Sequence, residues 1–323
     1  MTDRIDVTLG GRYTEETKHF SPEQYIAADR TGTLTGPGGT SCALIPANNP
    51  DCNLILPPDT ATTKANEFTG SASIAYRAAD GVMVYASYAR GFKSGGFTQR
   101  IFPPEPVIPS FDPEFVTTYE VGTKLELLRR TLRLNSALFW SDYSDLQIIL
   151  NDGVAPKVRN AGKARIRGVE VELEAAPARW LRITGGLGYT DAEYRALDER
   201  AAGITLGSAL PNTPEWTANL GASLSLAEGP LGELRLRGDW SCKSGHYKDA
   251  INTHLLKQEG YSLINASIAW ASPDERWTVS AGATNLTDKA YLLSGYADPV
   301  AVGVVEGAFS RPREWFLRTR LRF

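Results

Sequence analysis

Apolar and polar residues alternate with period two along most of the chain, most plainly in its last stretch, WFLRTRLRF at 315–323. Trp315, Leu317, Leu321 and Phe323 share one parity with Thr319, while Arg318, Arg320 and Arg322 share the other. Strand side chains point alternately to opposite faces, so the pattern predicts a strand with one apolar face and one guanidinium-bearing face. Comparable alternation predicts about twelve strands of roughly 9–15 residues: 5–13, 68–77, 82–92, 115–128, 131–145, 158–175, 180–191, 216–226, 232–243, 261–270, 277–289 and 315–323. The 216–226 stretch is the cleanest, with Trp216, Ala218, Leu220, Ala222, Leu224 and Leu226 opposite Thr217, Asn219, Ser223 and Ser225. In 82–92 both parities are mixed, and the pattern assigns no face.

The connections sort by length. Those after the second, fourth, sixth, eighth and tenth predicted strands are short, whereas the others are longer, above all 14–67 and 93–114. Strict alternation of this kind puts every tight turn at one end of a sheet and every long loop at the other. A soluble sandwich, wet at both ends, has no need to sort them; a membrane barrel with short periplasmic turns and long extracellular loops does. About ten residues at a rise near 3.3 Å, tilted about 40°, span roughly 25 Å, the height of a barrel's apolar band. Aromatic residues gather toward strand ends, with Tyr76, Trp180, Trp270 and Trp277 by the turns and Tyr13, Trp140, Tyr189 and Trp216 nearer the loops. Interfacial girdles have this distribution. On the sixth strand Glu170, Glu172 and Glu174 line one face, an arrangement that needs water or basic partners rather than a dry core. The expected fold is all-β: an antiparallel transmembrane β-barrel portion of about 12 strands, organised as one unit over 1–323.

Composition narrows the classes. The chain has 323 residues, a formal net charge of −3 and a mean hydropathy of −0.24. No basic excess points to nucleic acid, and no apolar run reaches the length of a spanning helix. The opening MTDRIDVTLGG lacks the basic and apolar regions of a secretory signal. Cys42 and Cys52, with nine residues between them in a polar stretch, are candidates for a loop-closing disulfide, the plainer reading being two free thiols. Cys242 sits on an apolar parity as a small hydrophobe.

Six segments occur in order: GGRYTEE at 10–16, YARGFKSGGF at 88–97, TYEVGTKLELL at 118–128, NAGKARIRGVEVELEAAP at 160–177, LPNTPEWTANLG at 210–221 and NLTDKAY at 285–291. Together with terminal Phe323 they make the chain resemble the C-terminal part of TonB-dependent outer-membrane receptors of the siderophore-receptor type. The resemblance implies a barrel of about 22 strands around a plug. It also implies energised uptake of a ferric siderophore or similar scarce ligand, driven by the TonB complex. The segments begin inside such a barrel, so the expected partners are outer-membrane lipid, a plug, the earlier strands and TonB. The expectation is that the chain lacks signal peptide, TonB box and plug, and does not transport alone. The alternatives are a passive porin-like channel and a soluble all-β binding module.

Candidate chemistry is of three kinds. Charges opposite the apolar parity are Arg12, Arg77, Glu120, Lys124, Arg133, Glu170, Glu172, Glu174, Arg235, Arg237, Asp239, Arg318, Arg320 and Arg322. They form either a plug-contact surface or a solvated wall satisfied by cross-strand pairs. Arg90, Lys93 and Arg100 flank a glycine-rich entry to a long loop and could attract an anionic ferric complex; the plainer reading is a bend at the rim. Trp315, Leu317, Leu321 and Phe323 resemble the recognition signal of the outer-membrane assembly machinery. His19, His246 and His254 show no metal-ligand spacing, and no nucleophile elbow, phosphate loop or cofactor motif occurs. Metal, cofactor and enzymatic function are not expected. Asn285-Leu286-Thr287 is formally a glycosylation acceptor but belongs to the strand-end segment.

Overall fold

The computed structural model describes residues 4–22, 60–99, 107–152, 155–199, 201, 203–298 and 303–323. Cys42, Cys52 and Arg100 lie outside the described residues. The strands in chain order are β1 (Ile5–Phe20), β2 (Ala61–Ala79), β3 (Val82–Lys93), β4 (Gly96–Phe97), β5 (Ser110–Phe111), β6 (Glu114–Leu127), β7 (Leu132–Asp152), β8 (Ala155–Ala178) and β9 (Leu181–Leu197). They continue with β10 (Trp216–Gly229), β11 (Gly232–Lys243), β12 (His246–Tyr247), β13 (Lys257–Gln258), β14 (Tyr261–Ala271), β15 (Trp277–Thr284), β16 (Leu292–Asp298), β17 (Val304–Phe309) and β18 (Glu314–Leu321). Twelve of them form one sheet in the order β1-β2-β3-β6-β7-β8-β9-β10-β11-β14-β15-β18, every neighbouring pair antiparallel. Among the described residues the outer edges of β1 and β18 pair with no other strand.

The apolar parity is the exposed one. Leu9, Val121, Leu138, Leu187 and Leu317 lie between 48% and 77% exposed, in rows that no second sheet among the described residues covers. Rows of this extent on a continuous antiparallel sheet are the lipid-facing surface of a barrel wall. The soluble-sandwich alternative required those rows to pack inward, and they do not. Register also assigns the face that the pattern left open on β3: Val84 and Tyr88 lie opposite Tyr76 and Ala72 of β2 and opposite Thr123 and Tyr119 of β6. The even positions of β3 therefore share the apolar face, and Tyr85, Ser87 and Lys93 share the polar one.

The tight connections are residues 80–81, 128–131, 179–180, 230–231 and 272–276, all at one end. At the first, Gly81 has φ +71° and a Cβ there would lie 2.3 Å from the Glu126 carbonyl oxygen, so only glycine fits. The long connections at the other end carry the small hairpins β4–β5, β12–β13 and β16–β17, which the alternation did not reveal.

Several strands outrun their predicted 9–15 residues. β7 has 21 and β8 has 24, and in the stretch expected to connect them residues 146–152 and 155–157 belong to the paired strands. Above the bilayer both faces of a hairpin can meet water or packed loop, so pairing continues while lipid-dictated alternation stops. The reverse holds for β15, which ends at Thr284 instead of reaching residue 289. Asn285 and Asp288 adopt φ +51° and +54°, and the buried Asn285 side chain accepts from the Lys289 amide at 2.8 Å and donates to the Lys289 carbonyl at 2.9 Å. The segment is a self-bonded turn with its asparagine amide enclosed, an unsuitable acceptor for a glycan.

Candidate ligand-binding rim

On the polar face the charges largely neutralise one another. Arg77 meets Asp6 at 2.7 Å, and Arg133 lies 3.4 Å from Glu126 and 3.5 Å from Glu174. Arg235 pairs with Glu233 at 2.7 Å and Arg237 with Asp239 at 2.6 Å, each two residues along one strand. Glu120 accepts the Tyr85 hydroxyl at 2.7 Å while Lys124 lies over the Tyr85 ring, and Glu172 accepts from Asn135 at 3.3 Å. Glu170 shares the face, paired in register with Ala137 and Gly188. Arg12 stands opposite Thr69; Arg318 and Arg320 stand opposite Ser280 and Thr278, and Arg322 reaches Glu275 at 4.0 Å. All remain partly or fully exposed, so the pairs contribute under about 1 kcal/mol each. Trp315 and Leu317 lie bare on the opposite face of β18, and Phe323 ends the chain fully exposed.

Two recesses open at the loop-bearing end. The first, about 630 Å³, is lined by Lys18, Phe20, Lys93, Phe97 and Phe111. Lys93 belongs to it; Arg90 does not, because it shares the apolar parity and its guanidinium lies 5.2 Å over the Phe115 ring. Lys18 was absent from the sequence candidates. Its ammonium donates to Ser94 Oγ at 2.5 Å and to the Gly95 carbonyl at 2.7 Å, tying β1 to the segment after β3. Gln147 holds the same segment, donating to the carbonyls of Ser94 and Asp112 at 3.1 and 3.0 Å. Asn160 accepts from the Asp112 amide at 2.7 Å and donates to the Asp145 carbonyl at the same distance. A register shift between Tyr143 and Leu146, with Asp145 at φ +54°, turns these side chains toward the loop.

The second recess, about 590 Å³, sits over the raised β7–β8 hairpin. Ile148, Leu150, Ala161 and Ala164 from that hairpin pack with Tyr194 of β9 and with Ile204, Leu210 and Ala250 from the loops, a buried cluster independent of the bilayer. Asn252, at φ +59°, joins two loops by accepting from the Ala209 amide at 2.7 Å and donating to its carbonyl at 2.9 Å. Beside the recess His246 is buried, with Nδ1 3.0 Å from the Ser244 carbonyl and Nε2 3.0 Å from Lys248 Nζ. A carbonyl only accepts, so Nδ1 carries the proton and Nε2 accepts from the ammonium. Burial, with Lys248 and Lys243 adding repulsion, holds His246 below the usual imidazole range against the opposing Ser244 carbonyl; burial likewise lowers Lys248. His254 opens a short 3₁₀ turn, and His19 bonds Thr62 on the β1–β2 pair, so the histidines do not converge.

The profile of the family described as "TonB dependent receptor-like, beta-barrel" matches residues 1–286. The chain belongs to that family. The Pesticin receptor of Yersinia pestis is 28% identical over 306 residues, covering 92% of this chain and 38% of the receptor. The Ferrichrome outer membrane transporter/phage receptor of Escherichia coli K12 is 26% identical over 234 residues, covering 71% of this chain and 29% of the transporter. Among solved structures, the ferric yersiniabactin uptake receptor FyuA from Yersinia pestis superposes with a TM-score of 0.78 at 22% identity, over 100% of this chain and 44% of that one. That likeness shows the shared barrel fold. The chain spans less than half the length of each of these receptors.

Proposed function

We propose that this sheet is wall and outer rim of an outer-membrane, TonB-dependent receptor that takes up a ferric siderophore or a similar scarce chelate. The observation that carries the reading is the bare apolar parity across a 12-stranded antiparallel sheet in a chain of this family. The relatives, a Pesticin receptor and a Ferrichrome outer membrane transporter/phage receptor among them, support the cargo class. The open edges of β1 and β18 require neighbours, because unpaired backbone groups facing lipid cost several kcal/mol each. Earlier strands of the same wall are the fitting neighbours, given the greater length of the relatives. A plug inside the wall would meet the polar face, where Arg12, Lys124, Glu170, Arg318 and Arg320 are the groups left with the least pairing. Lys93, beside Lys18 in the first recess, is placed to draw in an anionic complex; Arg90 faces the membrane interface instead.

The experiment is uptake of radioactive iron as ferric siderophores by cells whose only such receptor is the protein carrying this chain. Accumulation that disappears when TonB is deleted supports the reading. Iron entry unaffected by TonB loss, with steady conductance in planar bilayers, would replace it with a passive porin-like channel.

A further inference from the structure

We propose that the second recess is a binding site for an organic anion with an apolar, ring-bearing body, its anionic group held by the Lys248 ammonium. The apolar wall includes Tyr143, Leu146 and Ile166 from β7 and β8, Tyr194 from β9, and Leu210. Lys248 lines the same cavity. Its ammonium donates to His246 Nε2 at 3.0 Å and to Asn212 Oδ1 at 3.2 Å, both uncharged acceptors. Among the described residues no carboxylate lies within ion-pair distance of it. The adjacent Asp249 also lines the cavity, with its two oxygens engaged by Thr253, accepting from the amide at 2.9 Å and from the hydroxyl at 2.5 Å. An ammonium has three N–H donors, so one remains for a guest. The side chain is thus aimed by two neutral partners, half-buried beside an apolar wall, and forms no ion pair among the described residues. A neutral apolar guest would leave that charge facing hydrocarbon, and a small hydrated anion would leave the wall empty. A molecule joining both properties satisfies each.

The assignment rests on the uptake reading only in its biological sense, where the guest would be a ring-bearing chelate with an anionic donor or its free ligand. The binding itself is tested without transport. Protein carrying the whole chain is placed in nanodiscs and titrated with 2-naphthoate and with uncharged 2-naphthamide, empty nanodiscs being subtracted. The expected result is at least a tenfold preference for the carboxylate, falling to within twofold in Lys248→Met and retained in Lys248→Arg. Equal affinity for the two probes, or a preference that survives Lys248→Met, overturns the site. Should Lys248→Met not fold, a pH series decides. The preference must fade in the wild type as rising pH neutralises the lysine, while it persists in Lys248→Arg; parallel behaviour of the two proteins overturns the proposal. Loss of iron uptake with naphthoate binding intact would count against the receptor reading and leave this site standing.

Discussion

Leu220 lies on the apolar parity of β10, in register with Gly185 on one side and Trp240 on the other, and is 49% exposed with no second layer over it. It is four residues below Trp216, whose ring packs at 4.8 Å against Tyr189 near the outer interface. At about 3.3 Å per residue and a tilt near 40°, that places it roughly 10 Å deeper, near the middle of an apolar band about 25 Å tall. Leu220→Arg should therefore destabilise the protein by about 2–4 kcal/mol in a bilayer, and Trp216→Arg by about 1 kcal/mol or less from the charge itself. Ser223→Arg, on the polar parity beside Arg237, controls for generic effects and should cost under about 1 kcal/mol. Protein carrying the chain would be folded into phospholipid vesicles and titrated with urea, following tryptophan emission. The depth gradient is the discriminating result. If Leu220→Arg costs no more than Ser223→Arg, the apolar face does not meet hydrocarbon and the membrane assignment fails.

Three further outcomes follow from local geometry. Gly168→Val should destabilise by about 2 kcal/mol or more, because a Cβ there would lie 2.2 Å from the Tyr189 carbonyl oxygen and 2.7 Å from the Phe139 ring, whereas Gly238→Ala, with open space around it, should stay within about 0.5 kcal/mol by the same urea titration. Arg130→Gly should raise stability by about 0.5 kcal/mol, relieving φ +69° at a strain of about 1 kcal/mol while giving up an exposed ion pair to Glu126 worth about half that; a loss of stability would refute the strain argument. His246 has its folded pKa lowered, so the stability its neutral form contributes is complete above about pH 6.5 and declines as the pH falls from there toward the lowered value. Hydrogen exchange of the Lys248 amide, bonded to the Leu256 carbonyl at 3.1 Å, should therefore quicken below neutrality beyond the intrinsic trend; His246→Gln should remove that dependence, and an unchanged pH profile in the variant would sink it.

The alternation located all twelve strands of the main sheet because each lipid-facing residue announces its environment within two positions along the chain. It failed where lipid no longer dictates the choice. β7 and β8 run beyond their expected ends, since above the bilayer Ile148, Leu150 and Ala161 answer to loop residues distant in sequence. On β3 the mixed parities became legible only through partners on both sides, Tyr76 with Thr123 around Val84. Lys93 was a sequence candidate, but Lys18 carried no local mark, because its role depends on Ser94 and Gly95 being brought to it across the sheet.

By itself, then, the sequence determined that this chain makes antiparallel strands, which parity faces lipid on the strands other than β3, and which ends carry loops. Those properties follow from nearest neighbours along the strand and from turn residues such as Gly81. Tertiary structure alone decided that Arg90 and Lys93 face apart, that Asn285 closes a turn, and that Lys248 stands between His246 and Asn212 beside an apolar recess. Such assemblies join residues from separate loops, and no periodicity links positions that meet only when a sheet brings their loops together.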